Sequence, residues 1–158
     1  MIKYIEDNNV FEAIQLMDKS VSRREYFGYK RNEAVWMEYF LSLVRKQKEG
    51  SPHAFVVGDY DNNNKLRGFL AAASFKTYYT NEFVMDVKDC IVDPDNFNAF
   101  VVCRLFDAMI AHTKQHGGKH WRADSIHSEE EAMAYGEFLK KRYNAAIHVS
   151  VRGVIQEN

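Results

Sequence analysis

The sequence predicts a single α+β domain, with a mixed but mostly antiparallel central sheet flanked by about four helices. Three observations carry this. Residues 84 to 118 read as a strand, a tight loop and a long helix. Residues 53 to 92 read as successive strands joined by turns, and two capped helical stretches precede them while another follows the long helix. At 158 residues the chain has the size of one domain and can bury about two-thirds of its unfolded surface without a second. Its 46% hydrophobic and 27% charged residues place it in the soluble globular class. A net charge of −1 argues against a general nucleic-acid binder, which needs a basic surface. No apolar run approaches the ~20 residues of a membrane span. The opening MIKYIEDNNV lacks a basic stretch followed by an apolar one, so cytoplasmic residence is expected.

Ile2 and Tyr4 mark a short opening strand. Asn9 and Glu12 are spaced for an N-cap with a reciprocal acidic partner, and the helix that follows carries Val10, Phe11, Ile14 and Met17 on one side. Between Ser20 and Arg31 the periodicity vanishes. Arg23, Arg24, Lys30 and Arg31 interleave there with Tyr26, Phe27 and Tyr29, in a loop or frayed helix end. These side chains either clamp a substrate or acidic protein partner, with Arg23, Arg24, Tyr26, Tyr29 and Arg31 as the contact set, or lie over the domain's edge. Asn32 caps a second helix, whose core side is Trp36, Phe40, Leu43 and Val44. His53 to Gly58 and Leu66 to Phe75 are strands joined by DYDNNNK, which makes them antiparallel neighbours. Asp59, Asp61 and Asn63 alternate as in a calcium loop. Asn64 and Leu70, however, stand where that loop needs glycine and a bidentate Glu, so a hairpin turn explains the residues better. The turn KTYYTNE then leads into the central strand.

From Val84 to Val92 the residues alternate as in a half-buried strand, with Val84, Cys90 and Val92 on one parity and Val87 and Ile91 on the other. Asp93-Pro94 ends it, and Asp95 is the expected N-cap of a helix bearing Phe97, Phe100, Val101, Leu105, Phe106, Met109 and Ile110 as its buried stripe. Gly117-Gly118 stops that helix. His120 to Ile126 resumes strand character, and Ser128 with Glu131 forms a capping box for a last helix. That helix shows Ala132, Tyr135 and Leu139 on one face and runs to about Tyr143, before a final strand from Ala145 to Ile155. The expected order is β-α-α-β-β-β-α-β-α-β. Cys90 and Cys103, flanked by apolar residues, are expected as buried free thiols. His112 and His116 share a helix face, with no carboxylate or cysteine placed beside them, so a solvated helix end is favoured over a metal site. No G-x-S-x-G elbow, phosphate-cradling Walker loop or H-E-x-x-H motif occurs. The junction of the central strand and its helix is the expected functional centre, because the first helical turn leaves amides unpaired that can hold an anion.

The element order, with the run from CIVDP through the long helix to HGGKHWRADSI and the capped helix ending KKRYN, resembles the GNAT superfamily of acyl-CoA-dependent N-acetyltransferases over nearly the whole chain. The resemblance implies a sheet splayed between the central and following strands, with acetyl-CoA in the gap. Its cofactor contacts would be Ile91, Val92, Asn96, Phe97, Asn98, Ala99, Phe100 and Val101. The family's phosphate loop usually carries glycines; here Asn96 to Val101 hold none, although Asn96 and Asn98 can donate hydrogen bonds of their own. The resemblance further implies a general base on the central strand, at Asp86 or Asp89, with surface carboxylates as the bland alternative. The family's tyrosine acid falls on Phe138, which has no proton to give. Tyr135, one turn earlier, either replaces it or packs in the core, and Gly136 beside it suggests that something approaches closely there, another backbone being one option. Two functions follow: acetyl transfer from acetyl-CoA to a primary amine, or a catalytically inactive binding or assembly module of the kind found among viral particle components.

Overall fold

The computed structural model describes residues 1–21, 32–77, 82–124 and 129–147. Described residues up to Asp124 form one compact unit and residues 129–147 a second. The basic aromatic set Arg23, Arg24, Tyr26, Tyr29 and Arg31 lies outside the described residues, as do the Ser128 cap and most of the expected last strand.

The elements are β1 (Ile2–Tyr4), α1 (Val10–Val21), α2 (Glu33–Lys48), β2 (Ala54–Tyr60), β3 (Leu66–Lys76), β4 (Phe83–Val92), a 3-10 turn (Pro94–Asn96), α3 (Ala99–Gln115), β5 (His120–Ala123) and α4 (Glu129–Tyr143). Residues 145–147 are not in a strand. The first unit holds a five-stranded sheet in sequence order, antiparallel from β1 to β4 and parallel between β4 and β5. This is the mixed α+β architecture expected. Parallel pairing requires a crossover, and α3 supplies it.

Each strand of the meander is buried on both faces because helices cover both. One face carries Ala54, Val56, Phe69, Ala71 and Ile91 against Ala13, Leu16 and Met17 of α1 and Phe40, Leu43 and Val44 of α2. Residues of the other parity, among them Val57, Leu70 and Ala72, are equally buried and lie towards α3, which packs on β2, β3 and β4 through Val101, Val102, Leu105, Phe106 and Met109. Asn32 caps α2 as expected, its Oδ1 accepting from Val35 N–H at 3.2 Å. In the β2–β3 turn Asp61 Oδ1 accepts from Asn63 and Lys65 N–H at 2.8 and 2.9 Å, and Asn64 adopts φ 61°, so these residues serve a hairpin.

Several expectations need correction. The long helix begins at Ala99, and Asn98 rather than Asp95 caps it; Asp95 sits in the preceding 3-10 turn. Starting later, the helix leaves Phe97 outside it and Phe100 off the buried stripe, and both rings are largely exposed. Phe11 is exposed too, since α1 buries Val10, Ala13, Leu16 and Met17 instead. Asn9 N–H donates to the Glu6 carbonyl, so the reciprocal bond from Glu12 is not made, and Glu12 Oε2 is buried without a partner. Cys90 and Cys103 are half-buried free thiols.

Buried charge ties the far edge of the sheet together. Asp59, fully buried at the end of β2, accepts from Arg104 of α3 at 2.6 Å, from Arg67 of β3 at 3.0 Å and from the Met1 amine at 3.2 Å. Close approach near the β4 end depends on Gly68. A Cβ there would stand 2.8 Å from the Ile91 carbonyl oxygen and 2.8 Å from Val101 Cγ1. Gly68→Ala is therefore expected to destabilise the chain by about 1–3 kcal/mol, because backbone on one side and a packed helix on the other must both move. Urea unfolding of the two proteins measures it, and equal midpoints would show that the contact is not tight.

Candidate functional site

β4 and β5 are paired over four residues only, from Val84↔His120 to Val87↔Ala123. Beyond Val87, β4 continues to Val92 with β3 on one side and, among the described residues, no strand on the other. The described β4–β5 pairing thus ends at Val87, and Asp124, the residue after β5, is already out of the strand.

Where the pairing ends, β4 carries an extra residue. Asp86 pairs with Ala73, Val87 with Ala72 and Asp89 with Ala71, so Lys88 has no partner on β3. The consequence is chemical. Residues three apart in a regular strand face opposite ways, but this bulge turns Asp86 and Asp89 to the same face, the one covered by α2. Trp36 of α2 donates its indole N–H to Asp89 Oδ2 at 2.9 Å, and stacks on buried Phe40 at 5.1 Å between ring centres. Tyr39, one turn further along α2, senses the same cluster. Burial pushes its hydroxyl above the ordinary value, against Lys88 and with help from Asp86 and Asp89.

Asp86 is buried, not a surface carboxylate. Arg122 of β5, its neighbour in register, donates Nε to Oδ1 at 2.8 Å and Nη2 to Oδ2 at 3.0 Å, and Lys88 Nζ also reaches Oδ2. The Arg122 guanidinium lies 4.7 Å from the centre of the Phe75 ring. Burial by itself raises the Asp86 pKa, but the bonds from Arg122 and Lys88 outweigh it and hold the carboxyl below its usual range. Asp86 is therefore ionised and saturated with donors, whereas Asp89 is half-buried and shares one oxygen with Trp36.

After β4, the turn is built on Asp93. Its carboxylate accepts from Lys19 Nζ at 2.5 Å, from Asn96 Nδ2 at 3.0 Å and from Asp95 N–H at 3.2 Å. The Asn96 side chain is thus committed internally. Asn98 Oδ1 takes the Phe100 N–H at 2.9 Å and the Asn98 carbonyl takes the Val101 N–H at 2.9 Å. Of the amides in the first turn, Ala99 N–H is left without a partner among the described residues. Ile91 and Val92 are buried at the end of β4, and Val101 packs under β3.

Tyr135 and Gly136 lie on α4, in the second unit. Among the described residues, what approaches Gly136 is the Ile147 side chain: a Cβ there would meet its Cδ1 at 3.5 Å, an ordinary contact. Trp36, Tyr39, Lys88 and Arg122 escaped the sequence reading. Trp36 looked like core, and no local signal marks Lys88 as a bulge or places Arg122 beside Asp86.

The Asp86 cluster has a testable acid signature. Because its folded pKa lies below that of an unfolded aspartate, the unfolded chain takes up the proton first. The stabilisation is complete above about pH 4 and is lost as pH falls through the lower folded value. Asp86→Asn should cost about 1–3 kcal/mol at pH 7 and less at pH 3. Urea titrations at the two pH values test this, and a cost independent of pH would refute it.

No protein-family model and no curated protein sequence matches the chain. Solved structures do match it in three dimensions. Ribosomal-protein-alanine N-acetyltransferase from Brucella melitensis biovar Abortus 2308 superposes with a TM-score of 0.68 at 15% identity, covering 99% of each chain. The aminoglycoside 6'-N-acetyltransferase from Acinetobacter haemolyticus gives 0.70 at 14%, covering 98% of this chain and 99% of its own. A tetramutant of the BH1408 protein from Bacillus halodurans gives 0.76 at 14% identity, covering 99% of each. In its meander, its crossover helix and its parallel β4–β5 pair, the chain has the GNAT-like fold of these structures.

Proposed function

We propose that the protein is an acyl-CoA-dependent N-acyltransferase that moves an acetyl group to a primary amine. The observation that carries this is the bulge in β4 that sets Asp86 and Asp89 on one face where the described β4–β5 pairing ends. The similarity of fold to enzymes named as N-acetyltransferases supports it.

Acetyl-CoA fits the residues present in part. The outer edge of Lys88–Val92 offers backbone groups to an amide-bearing arm, and Ala99 N–H, at a position with a small side chain, can meet a phosphate oxygen. Phe97 and Phe100 are turned to solvent and do not pack into the sheet. When bound, the cofactor supplies an activated acyl thioester. In this reading Asp89 takes the proton that the amine loses as its nitrogen bonds to the acyl carbon, directly or through water, while Trp36 fixes the carboxylate. Asp86 is too well paired to accept a proton, and its role is to hold Arg122 and Lys88 beside the bulge. The departing thiolate takes its proton from water.

A second reading, a binding or assembly module on the same fold, is favoured by one observation. The turn before α3 spends Asn96 and the Phe100 and Val101 amides on internal bonds, where a diphosphate cradle would leave them open. Calorimetric titration with acetyl-CoA separates the two. Saturable binding is expected, followed by thiol release with an amine acceptor and a loss of at least about a hundredfold in kcat for Asp89→Asn. Absence of binding at millimolar acetyl-CoA would eliminate the transferase reading.

A further inference from the structure

A cavity of about 580 Å3 lies in the first unit, where the carboxyl ends of α2 and α3 come together beside the segment that follows β1. Its size is that of a small-molecule site. It lies at the carboxyl end of α3, whereas the β4 bulge lies before the amino end of that helix.

The walls have a definite character. Tyr4, Ile5 and Val44 contribute apolar and aromatic surface, and His112 and His116 stand side by side with ring centres 4.5 Å apart. The His112 ring in turn packs 4.6 Å from Phe55. The charge is negative. Glu6 and Asp7 supply two carboxylates against one lysine in the lining, Lys48, whose Nζ lies 2.7 Å from Asp7 and also feels the charge of Glu6. Each of the two helix ends adds about half a negative charge in its last turn. The His112 ring does not cancel this. Burial lowers the His112 pKa against the pull of the Pro52 carbonyl, His116 lowers it further, and the ring is neutral at pH 7.

We propose that this cavity is a second ligand site, selective for a small organic cation: an ammonium group with an apolar body. Aromatic faces and the excess of one carboxylate over Lys48 attract the charge, and Ile5 and Val44 accept the body. An anion would meet Glu6, Asp7 and both helix ends. A metal ion would find two imidazoles and no complete ligand set, since no group of three or more metal-ligating side chains occurs among the described residues. The site is independent of the transferase reading, because it shares no residue with the β4 bulge or with the turn before α3.

Benzyltrimethylammonium, titrated into the full chain and followed by calorimetry and by the imidazole NMR signals of His112 and His116, tests the proposal. Saturable one-to-one binding that shifts both rings is expected, with no uptake of benzoate at the same concentration. Glu6→Lys, at an exposed position, is expected to weaken binding at least about tenfold. His116→Ala, which removes one aromatic wall, should weaken it several-fold. The proposal fails if the cation does not saturate the protein up to roughly 10 mM. It also fails if benzoate binds as well, or if Glu6→Lys and His116→Ala both bind as tightly as the parent.

Discussion

One residue too many in β4 decides what the middle of this sheet can do. A regular strand through Asp86 and Asp89 would bury one carboxylate under α2 and send the other towards α3. The bulge at Lys88 removes that alternation, and the described β4–β5 pairing ends at the same place. Two acids on one face, a lysine without a partner on β3 that turns back onto Asp86, and the end of the described β4–β5 pairing are one geometric event. Its cost is a lost ladder position, and β3 tolerates it because Ala71, Ala72 and Ala73 on the facing strand present no bulk to clash.

Around that event the fold uses buried carboxylates as fasteners. Asp59 joins β2 to β3 and α3, Asp86 joins β4 to β5, and Asp93 joins the turn before α3 to α1 through Lys19. Each is largely desolvated, and each has its pKa held down because the donors around it outweigh the burial that would raise it. Such pairs contribute less net stability than an apolar contact of equal size, but they discriminate strongly between registers, since a slip leaves a buried charge unpaired. The apolar layers on both faces provide the bulk of the driving force, with each fully buried large side chain such as Phe69 or Phe106 worth roughly 1.5–3 kcal/mol. Helix α3 links these features: its amino end follows the turn built on Asp93, Arg104 in its middle grips Asp59, and its carboxyl end carries His112 and His116.

What the chain determines locally is a good deal. The meander, its hairpin at Asp61 and Asn64, the Asn32 cap, the break at Gly117 and the order of elements through the last helix all follow from periodicity and turn chemistry acting over a few residues, and they needed no tertiary information. The start of α3 was misread by a few residues because Asp93, Asp95 and Asn98 are all competent caps. The choice among them was made by the 3-10 turn that Asp93 organises with Lys19, a residue of α1.

The site was a different matter. Asp86 and Asp89 were legible as candidates, yet their shared face, the burial of Asp86 and its capture by Arg122 depend on a bulge and on a parallel register between segments 36 residues apart. No local propensity encodes either. Trp36 reads as core at the level of spacing, and it becomes a partner of Asp89 only when α2 lies across β4. The charge of the second cavity likewise arises because two helix ends distant in sequence converge on Glu6 and Asp7. Sequence alone determined which segments coil and which extend, since those are decided by neighbours within a turn; the tertiary structure decided which charges meet, because electrostatic partnership depends on distance in space and not along the chain.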